Sequence, residues 1–250
     1  EVCSCQISDG VNVHVDSDAI LKLEKGLEIL GTGTLTFENN ASLVQVNDAA
    51  VNTGNSIYKR TTSPYKNKDY VYWSTPVSST SILTTFLGWR TNHAYEYRPD
   101  KFNDGNGDGL DDDADDWTTV NTMVPAKGYI VMVPDSGATT ATVTFTGQVN
   151  NGIQRITDLI PNGFYLIGNP YPSAIDADKF ILANAGVIDG TLRFWTHNTA
   201  IQLATAITNG TAGSGVYAYT SDDYAYYNLT GGVSTSTAAK SDANTVGLTP

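Results

Sequence analysis

Basic residues are scarce in this chain. Its 250 residues include 14 lysines and arginines against 26 aspartates and glutamates, for a net charge of −12. A basic face is the electrostatic footprint of proteins that hold nucleic acid or anionic membranes, so no nucleic-acid partner is expected. No apolar run approaches the roughly 20 residues of a spanning helix, so membrane insertion is not expected either. The two cysteines, Cys3 and Cys5, sit too close together for an unstrained disulfide and are too few to close a structural zinc site. The three histidines, His14, His93 and His197, lie far apart and each reads as a strand residue. No nucleophile elbow, His-Glu-x-x-His motif, phosphate loop or dinucleotide fingerprint occurs, and the chain is not expected to be an enzyme. It opens on Glu1-Val-Cys-Ser-Cys5 with neither a starting methionine nor a leader, the expected appearance of a mature product or an excised piece.

What the chain does have is threonine, serine, asparagine, glycine and tyrosine, a composition suited to strands and turns. From Val11 to Val51, short alternating runs (Val11, Val13, Val15; Leu21, Leu23; Leu27, Ile29; Leu35, Phe37; Val44, Val46) are separated by small polar turns. Strands this short and closely spaced fit the rungs of a parallel β-solenoid, with a meander of hairpins as the competing reading. The remainder reads as duplicated. A proline-ended strand (Tyr70–Ser78; Tyr165–Ser173), a short helix (Ser81–Leu87; Ala177–Ala183, with Asp176 as its cap), an aromatic strand (His93–Tyr97; Leu192–Thr196) and an acidic-aromatic strand (Asp115–Asn121; Asp222–Asn228) recur in order. The expected fold is therefore all-β. A solenoid-like segment or cap occupies 1–55, and a duplicated antiparallel sandwich or jelly-roll-like body follows as a first repeat over 56–155 and a second over 156–235. The tail, 236–250, reads as flexible. The second repeat lacks counterparts to Gly128–Val133 and Ala141–Thr146, which predicts an open strand edge near Val216–Tyr219 or Tyr224–Asn228.

The most informative stretch is the insertion in the first repeat, residues 103–116. It places Asp104, Asn106 and Asp108 at alternate positions, then Gly109 for the sharp turn, the Leu110 carbonyl, Asp112 at the ninth place and Asp115 at the twelfth. A hard cation such as Ca2+ takes six to eight converging oxygens, and this spacing supplies them. The expected ligands are Asp104, Asn106, Asp108, Leu110, Asp112 and Asp115, with Asp113 and Asp116 open as further ones. The final Asp115 stands where a longer Glu is usual, and the loop resembles the calcium loops of thrombospondin type 3 and dockerin modules. Crowded carboxylates repel one another until an ion neutralises them. A second candidate is the tyrosine group Tyr217, Tyr219, Tyr224, Tyr226 and Tyr227. It would make a sugar-stacking face, although alternation in a half-buried strand accounts for most of it.

The wording of Gly163-Phe-Tyr-Leu-Ile-Gly168-Asn-Pro-Tyr-Pro-Ser173, of Phe194-Trp195-Thr-His197 and of Tyr219-Thr-Ser-Asp-Asp-Tyr224 resembles large secreted surface proteins of the Bacteroidetes. These are exported by the type IX secretion system and carry a C-terminal sorting domain. Leu35–Gln45 is similar to the end of the solenoid-like region such proteins often have upstream. The resemblance implies a secreted or outer-surface location. Its implied partners are other domains of the parent polypeptide, the secretion machinery or cell-surface components, and glycans. The function expected is a non-catalytic, calcium-stabilised structural or adhesive module. The alternative is a carbohydrate-binding accessory module of a secreted polysaccharide-degrading enzyme.

Overall fold

The computed structural model describes residues 2–107, 111–113, 115–196, 201–206, 216–217 and 223–233. Seven strands begin the chain: β1 (Cys5–Ile7), β2 (Asn12–Val15), β3 (Ile20–Leu23), β4 (Leu27–Ile29), β5 (Thr34–Phe37), β6 (Ser42–Gln45) and β7 (Ser56–Thr61). They pair in parallel, Cys5 with Leu27, Asn12 with Thr34 and Ile20 with Ser42, partners that stand 22 residues apart. Parallel pairing at a fixed offset is a coil of a three-sided solenoid and not a hairpin meander. The turns repeat as well: Asp18 and Asn40 hold the left-handed conformation at equivalent places, with φ of 65° and 64°. Short polar side chains tolerate that conformation, which is why these corners carry Asp and Asn. Ile7, Leu23, Leu27, Ile29, Leu35, Phe37 and Leu43 fill the interior. The buried Asn52 amide closes one corner, accepting from Leu27 N and donating to Val149 O.

β7 extends this parallel face, Thr36 opposite Ile57 and Phe37 opposite Tyr58. Its other edge pairs antiparallel with a later strand, Thr142–Gly147. The sheet thus runs straight across the boundary expected at residue 55. Alternation puts Ser56 and Tyr58 into the solenoid interior, a role that one strand's sequence shares with any sandwich strand.

The body contributes β8 (Tyr70–Trp73), β9 (Thr80–Ser81), α1 (Ile82–Thr85), β10 (Arg90–Tyr97), β11 (Trp117–Thr119), β12 (Thr122–Met123), β13 (Tyr129–Met132) and β14 (Thr142–Gly147). An antiparallel sheet ordered β11-β10-β13-β8 faces the sheet β14-β7-β5-β2. Between them Trp73 meets Phe86, Trp89 and Phe145, with ring centroids 5.4, 5.7 and 5.9 Å away. One contiguous core runs from Ile7 in the solenoid to Val149 after the sandwich. The all-β expectation holds, with a β-sandwich-like body.

The second half carries α2 (Ala177–Ala183), capped as expected by Asp176, which accepts from Lys179 N at 3.0 Å. It then carries β15 (Leu192–Trp195), β16 (Tyr224–Asn228) and β17 (Gly231–Val233), paired antiparallel in that order. Two hairpins match: Tyr97 faces Trp117 and Trp195 faces Tyr224. In both, the residue after the first strand bonds back, Arg98 N to Asp116 O and Thr196 N to Asp223 O. The edge expected at Tyr224–Asn228 is not open, because β17 supplies the pairing; of Val216–Tyr219, residues 218 and 219 lie outside the described residues. Tyr165–Ile167 also differs from β8. It makes a single bridge, Ile167 to Lys127, because the glycines around it press backbone against backbone. A Cβ on Gly168 would stand 2.3 Å from Ser74 Cβ and 2.5 Å from Lys127 O. Gly168→Ala is therefore expected to lower stability by roughly 1–3 kcal/mol, the usual cost of overpacking, read as a reduced denaturation midpoint with an unchanged slope.

Candidate metal centre

The acidic insertion springs from the β10–β11 hairpin, whose last pair is Tyr97 and Trp117. Arg98 N donates to Asp116 O at 2.7 Å, so the loop's two ends are clamped together. Inside, the loop folds on its own carboxylates. Asp111 Oδ1 accepts from Asn103 N at 2.8 Å. Asp112 N donates to Asn103 O at 2.8 Å. Asp112 Oδ2 accepts from Gly105 N at 2.8 Å and Asn106 N at 3.2 Å, and its Oδ1 from the Asn106 amide at 2.7 Å. Asp104 Oδ1 accepts from Gly107 N at 2.7 Å, across a turn that needs the positive φ of Gly107.

One oxygen is left over. Asp111 is only 8% exposed, and among the described residues its Oδ2 has no hydrogen-bond partner. A buried carboxylate oxygen without a donor costs several kcal/mol in desolvation, by order of magnitude, unless a cation or proton answers it. Asp111, Asp113 and Asp115 each bring an oxygen to one place, the three lying within 4.8 Å of one another. Lys101 reaches Asp115 Oδ2 at 2.9 Å from the exposed side. Behind the triad, burial and then the Asp111 charge raise Asp116 to about 6. Burial, then Asp116 and Asp111, push the Tyr97 hydroxyl up to about 12. The field here is negative and partly dry, which suits a hard cation bound by oxygen.

Of the expected ligands, Asp115 belongs to this triad. Asp104, Asn106 and Asp112 lie in the same loop, engaged in the hydrogen bonds that shape it, while Asp108 and Leu110 lie outside the described residues. Asp113 is one of the two residues left open as further ligands, and Asp111 is not in the expected set. The alternation Asp111, Asp113, Asp115 is itself a signal, but the spacing that starts at Asp104 overshadows it.

The tyrosine group divides among separate partners. Tyr217 lies under Lys68, whose Nζ is 2.7 Å from its hydroxyl. Tyr224 shares a hydrogen bond with the Tyr72 hydroxyl, and Trp195 stacks on Tyr72 with centroids 6.1 Å apart. Tyr226 lies near Arg193. Tyr219 lies outside the described residues. Tyr224 and Trp195 thus weld the second sheet to β8, and burial raises the Tyr72 hydroxyl well above its ordinary pKa. Among the described residues no helix is long and apolar enough to cross a membrane.

No curated protein and no solved structure matches the chain. Residues 1–247 match the family described as "Domain of unknown function (DUF8693)", and the chain belongs to that family.

Proposed function

We propose that the chain is a non-catalytic module whose body is stiffened by one calcium ion, serving a structural or adhesive role in a secreted bacterial surface protein. The observation that carries the metal is the buried, unanswered Oδ2 of Asp111 beside Asp113 and Asp115. A cation there supplies the missing partner and offsets the repulsion among the three carboxylates. It also ties the loop to the β10–β11 hairpin through Asp115, two residues before the Trp117 that packs on Tyr97. Calcium prefers six to eight oxygens, and Asp104, Asn106 and Asp112 of the same loop are the residues proposed to add to the triad. The secreted, type IX-exported setting rests on the resemblance of residues 163–180 and 194–197, and millimolar extracellular calcium suits an exposed site of modest affinity. The partners proposed are neighbouring domains and cell-surface components. Hydrogen exchange tests the stiffening: calcium is expected to slow exchange of the 99–117 amides and leave the solenoid amides of 12–45 unchanged. Identical exchange over 99–117 with and without calcium would count against it.

A further inference from the structure

A second feature lies away from the acidic loop, where the solenoid, the sandwich and the segment 169–174 meet. They enclose a cleft of about 410 Å³ lined by Asn40, Ser42, Arg60, Tyr72, Trp73 and Tyr171 among others. Clefts of this size hold small organic ligands. Its walls are fixed. Leu43 N of β6 donates to Pro172 O at 2.7 Å, and the Asn150 amide reaches Pro170 O at 2.8 Å. Within the segment, Asn169 accepts from Tyr171 N at 2.9 Å and donates to Ser173 O at 2.6 Å.

The chemistry of the cleft turns on Arg60. Its guanidinium sits over the Tyr58 ring and donates to the carbonyls of Glu38, Lys59 and Ala41 and to the Tyr58 hydroxyl. Every one of these acceptors is neutral. Among the described residues no carboxylate lies within 4.0 Å of it. Glu38, the nearby acid, turns instead to Lys59 at 2.9 Å and His14 at 3.2 Å. In a chain of net charge −12, a half-buried cation with no counter-ion is out of keeping. Burial already works against its charge, lowering its pKa. An anion is the missing partner; the four terminal N–H groups are already donated, so a carboxylate would meet the unneutralised charge and the remaining Nε–H. Around it stand groups that suit hydroxyls: the Asn40 amide and the Ser42 and Ser173 hydroxyls on the rim. The rings of Tyr72 and Tyr171 give the flat apolar flank against which sugar C–H faces pack.

We infer that this cleft binds a carboxylate-bearing sugar unit, a uronate, with its carboxylate on Arg60 and its hydroxyls on Asn40, Ser42 and Ser173. The site is independent of the cation, so it stands or falls apart from the calcium reading. The test is calorimetric titration of the whole chain, in chelator, with a galacturonate trisaccharide, a neutral galactose trisaccharide, and acetate. The acidic trisaccharide is expected to bind at least tenfold more tightly than either of the others. Arg60→Gln should abolish that preference, and Arg60→Lys should retain part of it. Because Arg60 also holds the Ala41 turn, the paired variant Asn40→Gly with Ser173→Ala, which keeps the left-handed corner at residue 40, serves as the second readout. It should weaken binding severalfold with an unchanged melting temperature. Equal affinity for the neutral sugar, acetate binding as tight as the sugar acid, or no binding by the acidic trisaccharide at ten-millimolar concentration would each overturn the inference. So would unaltered affinity in the rim variant.

Discussion

Phe145→Ala is expected to lower the melting temperature by roughly 10 °C, with the whole chain unfolding in one transition. Phe145 is only 1% exposed and sits on β14, the strand that joins the solenoid sheet to the sandwich. Its ring meets Trp73 of β8 at 5.9 Å and Phe86 at 6.1 Å. Truncating a buried Phe costs about 3–5 kcal/mol through lost transfer energy and the cavity left behind, and each kcal/mol moves the midpoint of a domain this size by about 2–4 °C. Both sheets lean on that one ring, so the loss should be felt by the solenoid and the body together. Phe145→Leu should recover about half, because most of the volume returns. Scanning calorimetry checks this. Two transitions, with only one of them shifted, would show that the core is not continuous.

The second large effect concerns Asp111. In metal-free protein Asp111→Asn is expected to be neutral or stabilising. It keeps the Oδ1 that accepts from Asn103 N and removes a buried charge whose Oδ2 has no partner among the described residues. In calcium the order should reverse. An ion at a hundred times its dissociation constant stabilises the wild type by about 2.7 kcal/mol, and the variant should gain almost nothing. A purely structural aspartate would behave differently, losing stability equally with and without the ion. Thermal melts of both proteins, in chelator and in about ten-millimolar calcium (well above the ~10⁻⁴–10⁻³ M range of extracellular modules), distinguish the two cases. A variant that melts lower than wild type in chelator and rises as much in calcium would overturn the assignment.

Much of the fold was legible because it is written locally. Alternating Val11, Val13 and Val15, with polar corners such as Asp16–Asp18 and Glu38–Asn40, signals rungs, and the 22-residue offset then follows from parallel pairing. The Asp176 cap and the paired aromatic strands were legible for the same reason. What a single sequence could not show is which strand is a neighbour's neighbour. Ser56–Thr61 alternates as a sandwich strand would, yet its partner on one side is β5 of the solenoid. The segment Tyr165–Ile167 copies the wording of β8, but Gly128 and Gly168 decide that it lies across Lys127 as a single bridge. The acidic loop stands out in the sequence as a candidate metal loop, but the oxygen on which the proposal turns does not. Asp111, Asp112 and Asp113 are interchangeable in sequence, and only burial separates Asp111 from its neighbours. Arg60 was hidden for a like reason. Its place on the alternating strand Ser56–Thr61 says nothing of the carbonyls that gather around it.

Calorimetric titration of the metal-free chain with calcium tests the central claim most directly. The expected result is one ion per chain with a dissociation constant of roughly 10⁻⁴–10⁻³ M, the range of extracellular modules, with uptake lost in the variant carrying Asp111→Asn, Asp113→Asn and Asp115→Asn. Absence of calcium uptake by the wild type at millimolar concentration, or equal uptake by the triple variant, would contradict it.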